Sequence, residues 1–339
     1  MTGFALYRLP YAAECTLISG EVHTLQSFSD LGLRMGFVLV PFSPSHDHPV
    51  LLIRPDTVEQ WSGRSVPCRL SPLSGSSEWS DHSRSTYHSV FTDYHARLVS
   101  GDFRKLVLAR SIDVRNVGHA SPFDMFQRAC ECYPRMFVSL AYTEDSGLWL
   151  TATPEILLSG DGHRWQTIAL AGTMAYADQV SWSDKNIQEQ RFVATYISSI
   201  LQRYANDVSE EGPRTVRAGH LAHLRSDFRF TLADRQPVGL LLHDLHPTPA
   251  VCGLPKREAF RFIMQHEPHD RSYYSGFMGP LFVDGQTNLF VTLRCMRIFQ
   301  DGYRLYAGGG LLTDSVEEEE WLETEAKLDT MRRIIYNNV

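Results

Sequence analysis

What most restricts the fold of this chain is the order of its periodicities. Short apolar or alternating runs come in blocks, and a few long helical patterns interrupt them without a regular strand–helix–strand rhythm. The runs lie at residues 5–8, 37–41 (F-V-L-V-P), 50–54 (V-L-L-I-R), 105–114 (K-L-V-L-A-R-S-I-D-V), 137–142, 148–152, 166–170, 289–299 and 303–307. Their length and their β-branched and aromatic content suit strands. Helical spacing shows where Tyr87, Phe91, Tyr94 and Leu98 recur before Gly101. It returns over residues 184–204, with Phe192, Tyr196 and Ile200 on one side, and over residues 316–336. Strands and helices mixed in this way predict an α+β fold rather than a doubly wound parallel sheet. The serine-rich residues 74–85 read as a loop and the polar residues 206–215 as a connection. A length of 339 residues suggests about two domains.

Charge and composition exclude several function classes. The formal net charge is −7, and no basic patch offers a surface for nucleic acid. No apolar run approaches the roughly 18 residues of a membrane-spanning helix. The N-terminal M-T-G-F-A-L-Y-R-L-P lacks the basic and apolar regions of a signal peptide, so a cytoplasmic protein is expected. Six scattered cysteines (Cys15, Cys68, Cys130, Cys132, Cys252, Cys295) then read as free thiols of a reducing compartment.

Several charged residues stand where packing alone would not put them. Glu189 shares a helix face with Phe192, Val193 and Tyr196. A carboxylate on such a stripe is costly unless it is paired or binds a metal; the plainer reading is an amphipathic helix with one salt-bridged glutamate. In the last helix Glu320, Glu323 and Lys327 form a stripe that continues into Met331 and Ile334. A surface Glu–Lys pair is worth only about 0.3–0.5 kcal/mol, but this stripe leads into core positions. Carboxylates from two separate helices suit Mg²⁺, which takes oxygen ligands and keeps places for water and substrate.

Lys105 opens a strongly apolar strand and reads either as a desolvated base or as a lysine snorkelling at a strand end. Glu155, in T-A-T-P-E-I-L-L, is a general acid or a strand-edge charge. Arg294, inside V-T-L-R-C-M, needs an anionic partner if that strand is buried. Gly308, Gly309 and Gly310 allow close backbone approach to an anion or make an ordinary turn. His46-Asp47-His48 and His243-x-x-His246 lack the partners of a transition-metal site. His223, followed by small polar residues, is better placed for a role.

Taken in order, the motifs K-L-V-L-A-R (from Lys105), T-P-E (Glu155), A-G-T (Ala171, Gly172, Thr173), the helix glutamate Glu189, H-L (His223), H-P-T-P-A-V-C-G (with Thr248 and Ala250), T-L-R (Arg294), A-G-G-G and E-W-L-E-T-E-A-K resemble the chorismate-utilising enzymes. Among these they are most similar to the isochorismate synthases. The resemblance covers roughly residues 85–336. It implies a two-layer α/β sandwich of the anthranilate synthase large-subunit type, with large antiparallel sheets around a buried site. Residues 1–80 would form a variable N-terminal lobe of that fold, and residues 81–339 the chorismate-binding catalytic domain.

Lys105, Ala171 and Ala250 match relatives whose nucleophile is water, so no glutamine amidotransferase subunit is expected. The substrate would be chorismate, with Mg²⁺ held by Glu189 and Glu323 and supported by Glu320. Arg294, Lys327, Gly308 and Gly310 would hold the substrate, with Gly172, Thr173, His223, Thr248 and Ala250 around it. Lys105 would be the base and Glu155 the acid. The product would be isochorismate, for menaquinone or a siderophore; the alternative is a salicylate synthase, which goes on to eliminate pyruvate. Monomer and dimer are both compatible with the chain. It departs from the pattern in reading Q-E-Q-R around Glu189, in a shorter segment between Gly172 and Glu189, and in A-G-G-G for A-G-A-G.

Overall fold

The computed structural model describes residues 2–32, 34–61, 84–115, 121–177, 181–232 and 238–336. Most of the serine-rich loop, Cys68 and the expected boundary near residue 80 lie outside them. The first 60 residues supply β1 (Thr2–Arg8), β2 (Thr16–Leu25), β3 (Gly36–Val40) and β4 (Val50–Gln60). Helix α1 (Arg84–Val99) leads to β5 (Lys105–Arg115), and α2 (Pro122–Cys132) to the hairpin β6 (Phe137–Thr143) and β7 (Gly147–Thr153). Next come β8 (Ile156–Gly160), β9 (Trp165–Ala175), α3 (Asp184–Tyr204), β10 (Ala205–Ala218) and β11 (Leu221–Leu232). Helix α4 (Val238–Leu245), the short β12 (Gly253–Leu254) and α5 (Lys256–His266) precede β13 (Phe277–Leu281). The chain ends with β14 (Thr287–Val291), β15 (Cys295–Ile298), β16 (Gly302–Leu311) and α6 (Glu317–Tyr336).

The strands hydrogen-bond in the order β10-β11-β9-β8-β14-β13-β3-β4-β2-β1-β6-β7-β15-β16-β5-β12. Neighbours run antiparallel, as in β1 with β6, β13 with β3 and β16 with β5. So long a sheet curls into two facing layers. Phe137 on β6 and Phe290 on β14 are far apart in strand order, yet their rings stack at 4.3 Å. Side chains alternate accordingly. On β1, Ala5 and Tyr7 enter the core between the layers, while Phe4 and Leu6 pack outward with α2 and α6 residues. On β3, Phe37 and Leu39 face inward and Val38 and Val40 pack outward with α3 and α4 residues. Strands covered on both faces read as unbroken apolar runs. The result is the expected α+β fold.

Two local expectations give way. Residues 206–215 are not a connection but most of β10, the exposed edge of the sheet. An edge strand is blunted by charge and carries no apolar alternation to read. Residues 289–299 form two strands, and Arg294 lies in the break between β14 and β15. On α3 the buried stripe runs Glu189, Val193, Ile197, Ile200, with Phe192 and Tyr196 only half-buried beside it.

Candidate active site

Six elements and the breaks between others bring residues to one enclosed space. Glu155, Gly172, Thr173, Glu189, His223, Ala250, Arg294, Gly308, Gly310 and Lys327 line it, with Val107, Leu170, Val251, Tyr274 and Leu293 among its apolar and aromatic walls. Thr173 also lines a second cavity of about 280 Å³, which Lys185, Glu320 and Glu323 border.

Lys105 is fully buried at the first position of β5, with its Nζ 3.0 Å from Glu189 Oε1. The approach is that of an ion pair, without the alignment of a hydrogen bond. Gly310 makes this contact possible. It lies near the end of β16, still paired within the sheet opposite Val107 of β5. A Cβ at Gly310 would stand 2.0 Å from Glu189 Oε1 and 2.9 Å from Lys105 Cε. The three glycines are therefore neither a turn nor a left-handed segment: they keep a strand bare where two helices press on it. Gly308 yields to the Tyr274 hydroxyl, 2.8 Å from where its Cβ would be.

Glu155 sits between β7 and β8, 2% exposed. Burial lifts its carboxyl to about 8, against the pull of Lys105, Arg294 and Lys327. At neutral pH it is an acid with a proton to give. Arg294 leaves the sheet in the β14–β15 break, and its Nη2 donates to His223 Nε2 at 3.4 Å. His223 Nδ1 donates in turn to the Gly172 carbonyl at 3.0 Å, which assigns the tautomer. Burial, then the Arg294 charge, lowers this imidazole to about 3, so it stays neutral and orients the guanidinium. Gly172 has φ +68°, and the β9–β11 register shifts by one residue beside it. This bulge requires glycine and turns the carbonyl toward the histidine.

On α6, Lys327 Nζ donates to the Gly308 carbonyl at 2.7 Å and lies 2.6 Å from Glu323 Oε1. The Glu323 side chain is half-buried; desolvation raises its carboxyl, but Lys327, with help from Lys185 and Arg294, brings it below its usual range. Glu320 contacts Lys185 of α3 through Oε1. Burial and then Glu323 push Glu320 up to about 7. Its Oε2 is buried without a well-formed hydrogen bond among the described residues, although Ser315 is near enough to ease the carboxyl down a little. The bare Gly309 backbone opens toward both acids: its Cβ would be 3.2 Å from Glu320 Oε2 and 3.9 Å from Glu323 Oε1.

Among the described residues no three acidic, histidine or cysteine side chains gather closely enough for a full metal shell. Two carboxylates with one orphaned oxygen nevertheless fit a hard cation that draws its other ligands from water and substrate. Glu189, by contrast, turns Oε1 to Lys105.

Thr248 does not line the cavity; its carbonyl accepts from Val251 and Cys252 at 3.0 Å, holding the turn that presents Ala250. The paired histidines are structural. His246 Nε2 meets the Pro41 and Phe42 carbonyls, and His48 pairs with Asp270. Lys185 and Tyr274 were missed by sequence reasoning. Lys185 had a usable signal, standing one helical turn before Glu189; Tyr274, in an aromatic run, had none.

Comparison with known proteins points the same way. Residues 61–336 match the family described as chorismate binding enzyme. The isochorismate synthase EntC of Escherichia coli K12 is 27% identical over 262 residues, which is 74% of this chain and 67% of EntC. The structure of DhbC from Bacillus anthracis superposes with a TM-score of 0.82 at 24% identity, covering 98% of this chain and 96% of DhbC. Anthranilate synthase component I of Streptococcus pneumoniae has the same fold, with a TM-score of 0.71 at 18% identity over 97% of this chain and 90% of its own.

Proposed function

This chain belongs to the chorismate-binding enzymes, and on that premise we propose that it converts chorismate to isochorismate. The observation that carries the reading is the buried, protonated Glu155 sharing one enclosed space with Arg294, Lys327 and the Glu189 carboxylate that pairs with Lys105.

In the proposed reaction Lys105 acts as the neutral amine, after the ammonium that pairs with Glu189 has released its proton: a water oxygen bonds to C2 of the ring and gives a proton to that amine. The ring double bonds shift, the C4–O bond breaks, and the departing hydroxyl leaves as water with the proton of Glu155. Water is consumed and released, and the proton returns from Lys105 to Glu155 through solvent. Arg294 and Lys327 supply the positive charge for the substrate's two carboxylates, and His223 keeps Arg294 aimed. The walls of Val107, Leu170, Val251 and Leu293 exclude bulk water, which strengthens each of these interactions. Glu320 and Glu323 would hold Mg²⁺, with Glu189 close by on α3. When bound, the cation supplies a Lewis-acid partner for a substrate carboxylate.

Incubation with chorismate and Mg²⁺, followed by chromatographic analysis of products, tests this. Isochorismate alone is expected. Salicylate with pyruvate would move the chain to the salicylate synthases, and an ammonia-dependent amino product would place it with the anthranilate enzymes.

A further inference from the structure

The N-terminal turn of α3 carries a cation that the proposed reaction does not use. Lys185 lies one turn before Glu189, on the wall of the outer cavity that Glu320 and Glu323 also border. Its ammonium contacts Glu320 Oε1, with 16% of the lysine side chain and 1% of the glutamate exposed. Three carboxylates and three lysines meet around β16: Glu189 with Lys105, Glu323 with Lys327, and Glu320 with Lys185. Within these three pairs the charges balance, and Arg294, on the same space, adds one more positive charge.

The lysines differ in their freedom to leave. Lys105 is fully buried, and Lys327 is tied to the Gly308 carbonyl as well as to Glu323. Lys185 alone among the three borders the outer cavity. Its partner is also the only acid of the three with an oxygen recorded as buried and unbonded among the described residues, Oε2, facing the bare Gly309. One Glu320 oxygen is thus occupied by an internal cation while the other waits beside Glu323.

We propose that Lys185 is a built-in counter-ion that a divalent cation must displace from Glu320. This rests on the reading of Glu320 and Glu323 as cation ligands. A dication entering alone would add to the positive charge already there, so the lysine swings out into the outer cavity. A dication arriving with a dicarboxylate substrate adds no net charge. Lys185 therefore holds the metal-free site together and keeps its affinity for free cation low until substrate is present.

The test is calorimetric titration of Mg²⁺ into the metal-free protein without substrate, for the wild type and for Lys185→Met, Lys185→Arg and Glu323→Gln. Removing one competing charge should tighten Mg²⁺ binding by about tenfold or more in Lys185→Met. Lys185→Arg, which keeps the cation, should bind as the wild type does. Without metal, Lys185→Met should also melt at lower temperature, because Glu320 loses its partner, and Mg²⁺ should restore the loss. Should the methionine variant not fold, Lys185→Gln makes the same comparison. Unchanged or weaker Mg²⁺ binding in the neutral variant overturns the proposal while leaving the metal reading intact. Wild-type affinity in Glu323→Gln, or no binding by any form, overturns the metal reading itself.

Discussion

At the scale of single residues, the site works by taking charges out of water and letting each neighbour decide what burial does to them. Among the described residues Glu155 has no hydrogen-bonded cation, so burial dominates and its carboxyl rises to about 8. Glu323, half-buried, is also desolvated, but Lys327 reverses the outcome. Because Glu155 must carry a proton to act as an acid, turnover should fall as pH rises through about 8. Glu155→Gln should lower kcat by roughly 10²–10⁴ and remove that limb of the pH–rate profile. The same group has a stability signature. Its folded-state value lies above the 4.5 of a free side chain, so its cost is absent below that pH and grows as pH rises toward about 8. Denaturant titrations should therefore show Glu155→Gln gaining stability over the wild type between pH 5 and 8, and a pH-independent difference would remove the buried-acid assignment. Lys105→Ala should cost roughly 10²–10⁴ in kcat, with chorismate binding retained by calorimetry; near-normal turnover would dismiss it as the base. These residues were legible in the sequence because a charge beside an unbroken apolar run is physically anomalous wherever it occurs.

At the scale of elements, β16 and α6 form the working surface. Glu320, Glu323 and Lys327 lie along one stripe of α6, and the strand beneath has lost its side chains at Gly308, Gly309 and Gly310 to admit them. The sequence shows the stripe by its spacing. It does not show that the glycines belong to a strand, because a glycine triplet reads equally well as a turn. Gly310→Ala tests the difference. Its methyl group would overlap Glu189 Oε1 at 2.0 Å, so the Lys105–Glu189 pair must separate. Overpacking of this kind costs about 1–3 kcal/mol, and kcat should fall while circular dichroism still reports a folded sheet. If the glycines were a turn, alanine would change stability and leave kcat alone. The break that releases Arg294 was also invisible, since V-T-L-R-C-M has the pattern of a continuous strand.

At the scale of the whole molecule, the first 60 residues are central to the sheet. The family match begins at residue 61, yet β1–β4 stand between β13 and β6 in the strand order. They supply Ala5, Tyr7, Phe37, Leu39, Leu51 and Ile53 to the core between the layers. A shortened chain of residues 61–339 would expose the edges of β13 and β6 and open that core. It should be insoluble or lack a cooperative thermal transition, and a soluble chain that still turns over chorismate would refute this account of the fold.

Sequence alone determined the chemistry available and the class of fold: which charges sit on apolar stripes, which runs are strands, and that no regular alternation links them. These are local properties, written in spacing and side-chain type. Only the tertiary structure decided the partnerships. Lys105 with Glu189, Lys185 with Glu320 and His223 with Arg294 join positions from 71 to 135 residues apart. No local period encodes such contacts, because the long antiparallel sheet, in curling over, chooses who meets whom.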